Sequence, residues 1–209
     1  MNNPHIISYS SPSHEHYQRR LAKFLTECGY SHTEYTEKWL TELDEYDEMK
    51  DIFEQKRGAG YWAWKPLVLL DALQENEWVI YLDSDGIFDN YPGIFDKFYN
   101  HDLAAVDTGF NHGQWTKRDC FIIMDCNSEK YWNANQVWGG VVSARQRGLN
   151  YIWEWAQYCS DHRCITDSPS CAENLPNFHE HRHDQSILTN LIIKHNLGRV
   201  STSDFRAIK

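Results

Sequence analysis

Two aspartates one residue apart, Asp83 and Asp85, close an unbroken apolar run, Trp78-Val79-Ile80-Tyr81-Leu82. Alternate residues of an extended chain point the same way, so both carboxylates can face one cation. Their hard oxygens suit Mg2+ or Mn2+ carried together with a substrate phosphate. Asp83-Ser84-Asp85-Gly86 is also a turn sequence in its own right, because Asp and Gly favour turns for local reasons. The run before it raises the functional reading. An apolar stretch covered on both sides reads as a central strand, and the crevice beyond the carboxyl ends of such strands is where open α/β sheets bind ligands.

A second cluster is His179-Glu180-His181-Arg182-His183-Asp184-Gln185-Ser186. Its alternating histidines could ligate a metal on an extended segment. At a helix start they splay apart and leave Asp184 in the first turn, where a carboxylate is favoured. A hydrolytic zinc site is not expected. The third feature is Gly58-Ala59-Gly60-Tyr61-Trp62-Ala63-Trp64-Lys65-Pro66, preceded by Arg57. Gly58 and Gly60 permit backbone shapes closed to other residues. The stretch matches neither G-x-x-x-x-G-K-[ST] nor G-x-G-x-x-G, which removes the main support for ATP and dinucleotide readings. Trp62 and Trp64 suit either a core or the wall of a sugar pocket. Arg57 and Lys65 are the cations nearest in sequence to the carboxylate pair and could offset a diphosphate. The cysteines (Cys28, Cys120, Cys126, Cys159, Cys164, Cys171) contain no C-x-x-C pair, and Cys159, Cys164 and Cys171 with His179 are the one weak metal grouping.

These residues need a scaffold, and the chain is long enough for one. Its 209 residues suit a single well-cored domain over 1–209, alone or as a module of a longer chain. With 20 Lys+Arg against 30 Asp+Glu the net charge is −10, which repels nucleic-acid phosphates. No transmembrane run and no signal-peptide core is visible, so a cytoplasmic location with reduced thiols is expected. Strand patterns fall at His5–Ser10, His32–Thr36, Trp78–Leu82, 103–106, 137–143 and 197–201. Helical patterns fall at 14–28, capped by Ser13 and ended by Gly29, and at 40–56, 67–73, Leu149–Cys159 and 187–193. The alternation predicts one α/β domain with a mostly parallel central sheet flanked by helices.

In combination, RGAGYWAWKP (57–66), WVIYLDSDG (78–86), QVWGGVVSAR (136–145) and HRHDQSILTNL (181–191) resemble a small nucleotide-sugar glycosyltransferase of the Rossmann-like GT-A fold. The resemblance runs nearly end to end. It is to enzymes of bacterial polysaccharide clusters and to the N-terminal domain of a chlorella-virus glycosyltransferase, and more distantly to retaining galactosyltransferases and glycogenin-like enzymes. It implies a metal-dependent transfer of hexose from a UDP-sugar, UDP-glucose or similar, to a glycan acceptor. By the same resemblance Asp83 contacts ribose or metal and Asp85 ligates Mn2+ or Mg2+. Asp184 holds donor-sugar hydroxyls and Gln185 lies near the reacting face. Trp138, Gly139 and Gly140 shape the sugar floor, Arg57 and Lys65 reach hydroxyls or phosphate, and Tyr9 and Ser10 border the nucleoside. The distant relatives' C-terminal histidine ligand has no counterpart, which leaves His195, Asp204, a histidine of 179–183, or water. Retention is the first expectation and inversion with Asp184 as general base the second. A metal-dependent phosphohydrolase or phosphotransferase, and a non-catalytic sugar-binding module, are the rival classes.

Overall fold

Residues 3–87 and 91–201 are described by a computed structural model. The runs rich in β-branched and aromatic residues form one six-stranded sheet: β1 His5–Ser10, β2 His32–Thr36, β3 Trp78–Leu82, β4 Leu103–Asn111, β5 Asn135–Arg145 and β6 Gly198–Ser201, in the order β2-β1-β3-β5-β4-β6. β1 lies parallel to β2 and β3, and β4 parallel to β6, while β5 runs against both β3 and β4. That single reversal matters for the site. It brings the first half of β5, including Trp138, Gly139 and Gly140, to the edge where β1, β3 and β4 end.

β3 is apolar throughout because helices cover both of its faces. Val79 and Tyr81 belong to one core with helices Lys65–Ala72, Leu149–Cys159 and His183–Lys194. Trp78, Ile80 and Leu82 belong to the other, with helices Glu15–Glu27 and Tyr91–Phe98. The two-residue alternation places Asp83 on the Tyr81 side, against the Lys65 and Asp184 helices. The core aromatic Trp155 is fully buried, and its Nε1–H donates to the backbone oxygen of Asp184 at 3.1 Å, fixing the start of that helix.

Two local expectations are corrected. Ser13 does not cap the first helix: a 3-10 turn, Pro12–His14, leads into Glu15–Glu27, and Ser13 Oγ bonds its neighbour His14 instead. The 40–56 stretch is not one helix but two short pieces, Glu37–Thr41 and Lys50–Phe53, joined by turns. Asp44 and Asp47 are poor helix formers, and the crowded carboxylates of Glu42, Asp44, Glu45, Asp47 and Glu48 repel one another. Leu40, Met49, Ile52 and Phe53 still bury, so the apolar periodicity was real while the continuous axis was not. Among the described residues, no helix is long and apolar enough to cross a membrane.

Candidate functional site

The end of β3, the start of the Lys65–Ala72 helix, the middle of β5 and the first turn of the His183–Lys194 helix meet at Lys65. This lysine is 3 % exposed. Its Nζ donates to Gly139 O at 2.8 Å, lies 3.1 Å from Asp83 Oδ1, and lies 3.8 Å from Asp184 Oδ2. Tyr81 O–H donates to the same Asp83 Oδ1 at 2.8 Å. Burial, and then the Asp83 charge, push the Tyr81 phenol well above its ordinary value, so it stays a donor. Asp83 N–H is tied to Gly140 O at 2.9 Å, which locks the strand end to β5.

Asp184 is the least satisfied group in this cluster. Burial pushes its carboxyl up to about 7; the nearby Lys65 ammonium opposes the shift and Asp83 adds to it. Oδ2 is buried and has no hydrogen-bond partner. The 3.8 Å approach of Lys65 is electrostatic attraction and too long to be a hydrogen bond. This oxygen faces Gly139, where a β-carbon would come within 3.1 Å of it. Gln185 secures the same glycine: its Oε1 accepts Gly139 N–H at 3.0 Å, and its Nε2 donates to Gln136 Oε1 at 2.8 Å. Gly140 is as constrained, since a methyl there would collide with Asp83 Oδ2 and the Trp138 ring. Gly140→Ala is therefore expected to displace Asp83. Overpacking of about 1–3 kcal/mol lowers Tm by roughly 2–12 °C in a chain of this size. Calorimetry checks this; an unchanged Tm would show that the crowding is relieved at no cost.

A cavity of about 790 Å3 opens beyond the ends of β1 and β3. Tyr9 and Ser10, Trp64, and the Asp83-Ser84-Asp85 turn line its inner side. Asp85 is exposed, and its carboxylate makes no hydrogen bond or ion pair among the described residues; only its backbone oxygen is engaged, accepting Ile87 N–H at 3.0 Å. The wall carries Glu37, Glu54, Asp83 and Asp85 against Lys56 and His14, so it is electronegative as it stands. A divalent cation at the Asp83–Asp85 corner would offset most of that charge, and one or two carboxylates completed by substrate phosphate and water is how Mg2+ is usually held. The donor set fits such an ion.

From the 58–62 segment, Gly58, Ala59 and Trp62 form another side of the cavity. Gly58, Ala59, Gly60, Tyr61 and Trp62 all have left-handed φ, of 59°, 47°, 96°, 55° and 58°. For the non-glycine members this geometry costs about 1–2 kcal/mol each. A β-carbon at Gly60 would press on the Phe53 backbone, so glycine is required there. The turn is held from outside. Trp64 Nε1–H donates to Gly58 O at 3.3 Å, and Tyr61 stacks on His183 with ring centres 4.6 Å apart. Arg57 pairs with Glu180 at 3.2 Å and Asp167 at 3.5 Å.

Of the residues expected at the site, Tyr9, Ser10, Asp83 and Asp85 line the cavity. Lys65, Gly139, Asp184 and Gln185 cluster behind Asp83, and Trp138 and Gly140 stand beside its carboxylate. Arg57 is not with them, because its guanidinium is engaged by Glu180 and Asp167. The 179–183 histidines are not arranged as ligands. Pattern alone could not dismiss a zinc site, since His179-Glu180-His181-Arg182-His183 does satisfy H-E-x-x-H. Geometry dismisses it: the helix begins only at His183, so His179 and His183 do not share one helix face. His181 Nε2 lies on Cys164 O at 2.6 Å and His183 Nδ1 on Ile165 O at 2.7 Å, both rings buried, and burial drives His183 down to about 4. His195 bonds Glu154 at 2.7 Å, and Asp204 lies outside the described residues. Among the described residues no group of three or more His, Cys, Asp or Glu side chains could hold a metal, so the Cys159, Cys164, Cys171 and His179 grouping does not form. Sequence reasoning missed Tyr81, Gln136 and His112. Gln136, a polar residue opening an apolar strand, carried the one usable signal.

No protein-family model and no curated protein matches the chain. Solved structures do. Mouse xyloside xylosyltransferase 1, in its apo form, is 13 % identical, with 94 % of this chain and 84 % of that one covered and a TM-score of 0.54. An active-site mutant of LgtC is 13 % identical, with 94 % and 72 % covered and a TM-score of 0.51. A glycosyltransferase involved in glycosylation of the major capsid of PBCV-1 is 16 % identical over 75 % of this chain, with a TM-score of 0.43, and this chain spans 66 % of its length. The first two carry the assignment: the chain has the GT-A glycosyltransferase fold.

Proposed function

We propose that the chain is an enzyme, a glycosyltransferase that moves a hexose from a UDP-sugar, UDP-glucose or similar, to a hydroxyl of a glycan acceptor in polysaccharide synthesis. The observation that carries this reading is the buried, unpartnered Asp184 Oδ2 beside the side-chain-free Gly139, joined through Lys65 to the acidic corner of a nucleotide-sized cavity. A buried carboxylate oxygen without a donor is costly, and sugar hydroxyls are the donors that would satisfy it. Asp83 and Asp85 hold Mn2+ or Mg2+, which when bound stabilises the charge of the departing diphosphate.

The chain's own side chains do the rest. Tyr9 and Ser10 border the nucleoside, and Gly139 and Gly140 let the sugar approach the backbone. A donor hydroxyl reaching Asp184 Oδ2 takes the side now faced by Lys65, whose ammonium keeps Asp83 and Gly139 O. Asp184 then fixes the sugar's orientation and steadies positive charge growing at the anomeric carbon. The acceptor attacks from the face the diphosphate leaves, and the departing diphosphate oxygen takes the acceptor's proton, so configuration is retained. The raised Asp184 carboxyl favours one second reading, inversion with Asp184 as general base, because a base poised near neutrality is effective. The free thiols, two of them exposed at Cys28 and Cys171, suit a reducing, cytoplasmic setting.

A thermal-shift panel of UDP-glucose, UDP-galactose and UDP-rhamnose, each with and without Mn2+, tests this reading. One sugar with Mn2+ should raise Tm by more than either agent alone, and incubation with a saccharide acceptor should give a linkage of the donor's own anomeric configuration. Phosphate release without an acceptor, indifferent to the sugar, would instead mark a phosphohydrolase. An inverted linkage would end the claim of retention.

A further inference from the structure

We propose that His112 and Gln136 are positioning residues that lock the Gln185 amide in one of its two orientations, with Oε1 on the Gly139 N–H and Nε2 turned away from the sugar floor. Met124 anchors one end of the network, because its sulfur can only accept. Asn190 therefore turns Nδ2 to Met124 Sδ, at 3.3 Å, and Oδ1 to His112 Nε2, at 3.0 Å. That makes Nε2 the protonated nitrogen of His112. The ring is wholly buried and its basicity is driven down to about 3, so Nδ1 carries a lone pair. Thr116 Oγ1 donates to that lone pair at 3.0 Å and Gln136 Nε2 at 3.4 Å.

Gln136 Nε2 also lies 3.5 Å from Trp115 O, which only accepts, so both contacts place its nitrogen on this side. Its Oε1 then faces Gln185 and receives Nε2–H at 2.8 Å. At the far end Gly139 N–H, which only donates, meets Gln185 Oε1 at 3.0 Å. Both ends of the chain are thus pinned by groups with a single hydrogen-bonding role, and every link between agrees with both. Reversing any one amide sets donor against donor, or acceptor against acceptor, inside a buried network.

The consequence lies at Gly139. Its N–H is held by Gln185 and its C=O by Lys65, so both peptide groups flanking the Gly139 α-carbon, which faces Asp184 Oδ2, are held against rotation. The catalytic side of this inference rests on the proposed transfer reaction; the tautomer does not. Nitrogen-15 NMR of the His112 ring in the intact chain should show a neutral Nε2–H tautomer throughout pH 6–8. An Nδ1–H tautomer or a charged ring overturns the proposal whatever the protein catalyses. With UDP-glucose, Mn2+ and a saccharide acceptor, Gln136→Met should lower kcat at least tenfold and leave the donor KM within threefold. Added to Gln185→Met it should cost less than a further twofold, because both remove one device. A kcat for Gln136→Met within threefold of the parent, or losses that multiply, overturns the positioning role. A silent Gln185→Met refutes the hold of Gln185 on Gly139 as a contribution to turnover, and with it this use of the lock, while the tautomer result stands on its own.

Discussion

Asp184→Asn is expected to lower turnover by roughly 10²–10³-fold, the usual loss when a preorganised group facing developing charge is removed, while donor affinity stays within about tenfold. The exchange keeps size and keeps an oxygen for hydroxyl contacts but removes the negative charge opposite the cation-like anomeric carbon. The same substitution should make the fold more heat-resistant at pH 8. The Asp184 carboxyl sits at about 7 in the folded chain, above its unfolded value, because burial disfavours its charge. Between about pH 4 and 7 the folded state therefore binds more protons than the unfolded one, and stability falls as pH rises through that window. Asparagine escapes this penalty. Its Tm advantage should be largest near pH 8 and fade toward pH 4. Melting curves across that range, with kcat and donor KM at saturating acceptor, check both effects. A variant that loses activity and stability together at pH 8 would mean that Asp184 is mainly a counter-ion for Lys65.

Asp85→Asn is expected to leave the fold untouched and to abolish metal-assisted nucleotide binding. The Asp85 side chain is exposed and bonds to nothing among the described residues, so the change should move stability by no more than about 0.5 kcal/mol. Loss of one of two carboxylate ligands should exceed the 10–100-fold typical of outer partners, giving about 100-fold or more in UDP affinity with Mn2+ present. The acidic wall explains the steepness: without the cation a diphosphate meets Glu37, Glu54, Asp83 and Asp85 against Lys56 and His14. Titration calorimetry of the variant decides it, and undiminished Mn2+-dependent affinity would remove Asp85 from the ion.

β3 and its terminal aspartates were legible in the sequence because burial on both faces leaves an unbroken apolar run, and Leu149–Cys159 because its apolar stripe fits one helical period throughout. The Lys65, Asp184 and Gly139 cluster was legible in its members through the family resemblance, yet its wiring was not. Lys65 meets a carbonyl 74 residues away, a pairing set by the reversal of β5 that no local pattern reports. Arg57 illustrates the converse. Nearness in sequence to the acidic turn suggested a donor contact, while in the fold its guanidinium pairs with Asp167 and Glu180, more than a hundred residues on, a pairing no local pattern reports. The 58–62 segment was readable as irregular from its glycines, but its left-handed course depends on Phe53 and His183 packing around it. His112 gave no signal, because a buried neutral histidine is defined by its partners, the nearest of them Thr116 and the others 24 and 78 residues distant.

The central claim is that the acidic corner closing β3 and a nucleoside diphosphate share one divalent ion. Calorimetric titration of UDP into the intact protein, with Mn2+ and then with Mn2+ chelated away, measures this directly. One-to-one binding that weakens at least about 100-fold on chelation is expected. Equal affinity under both conditions would contradict it.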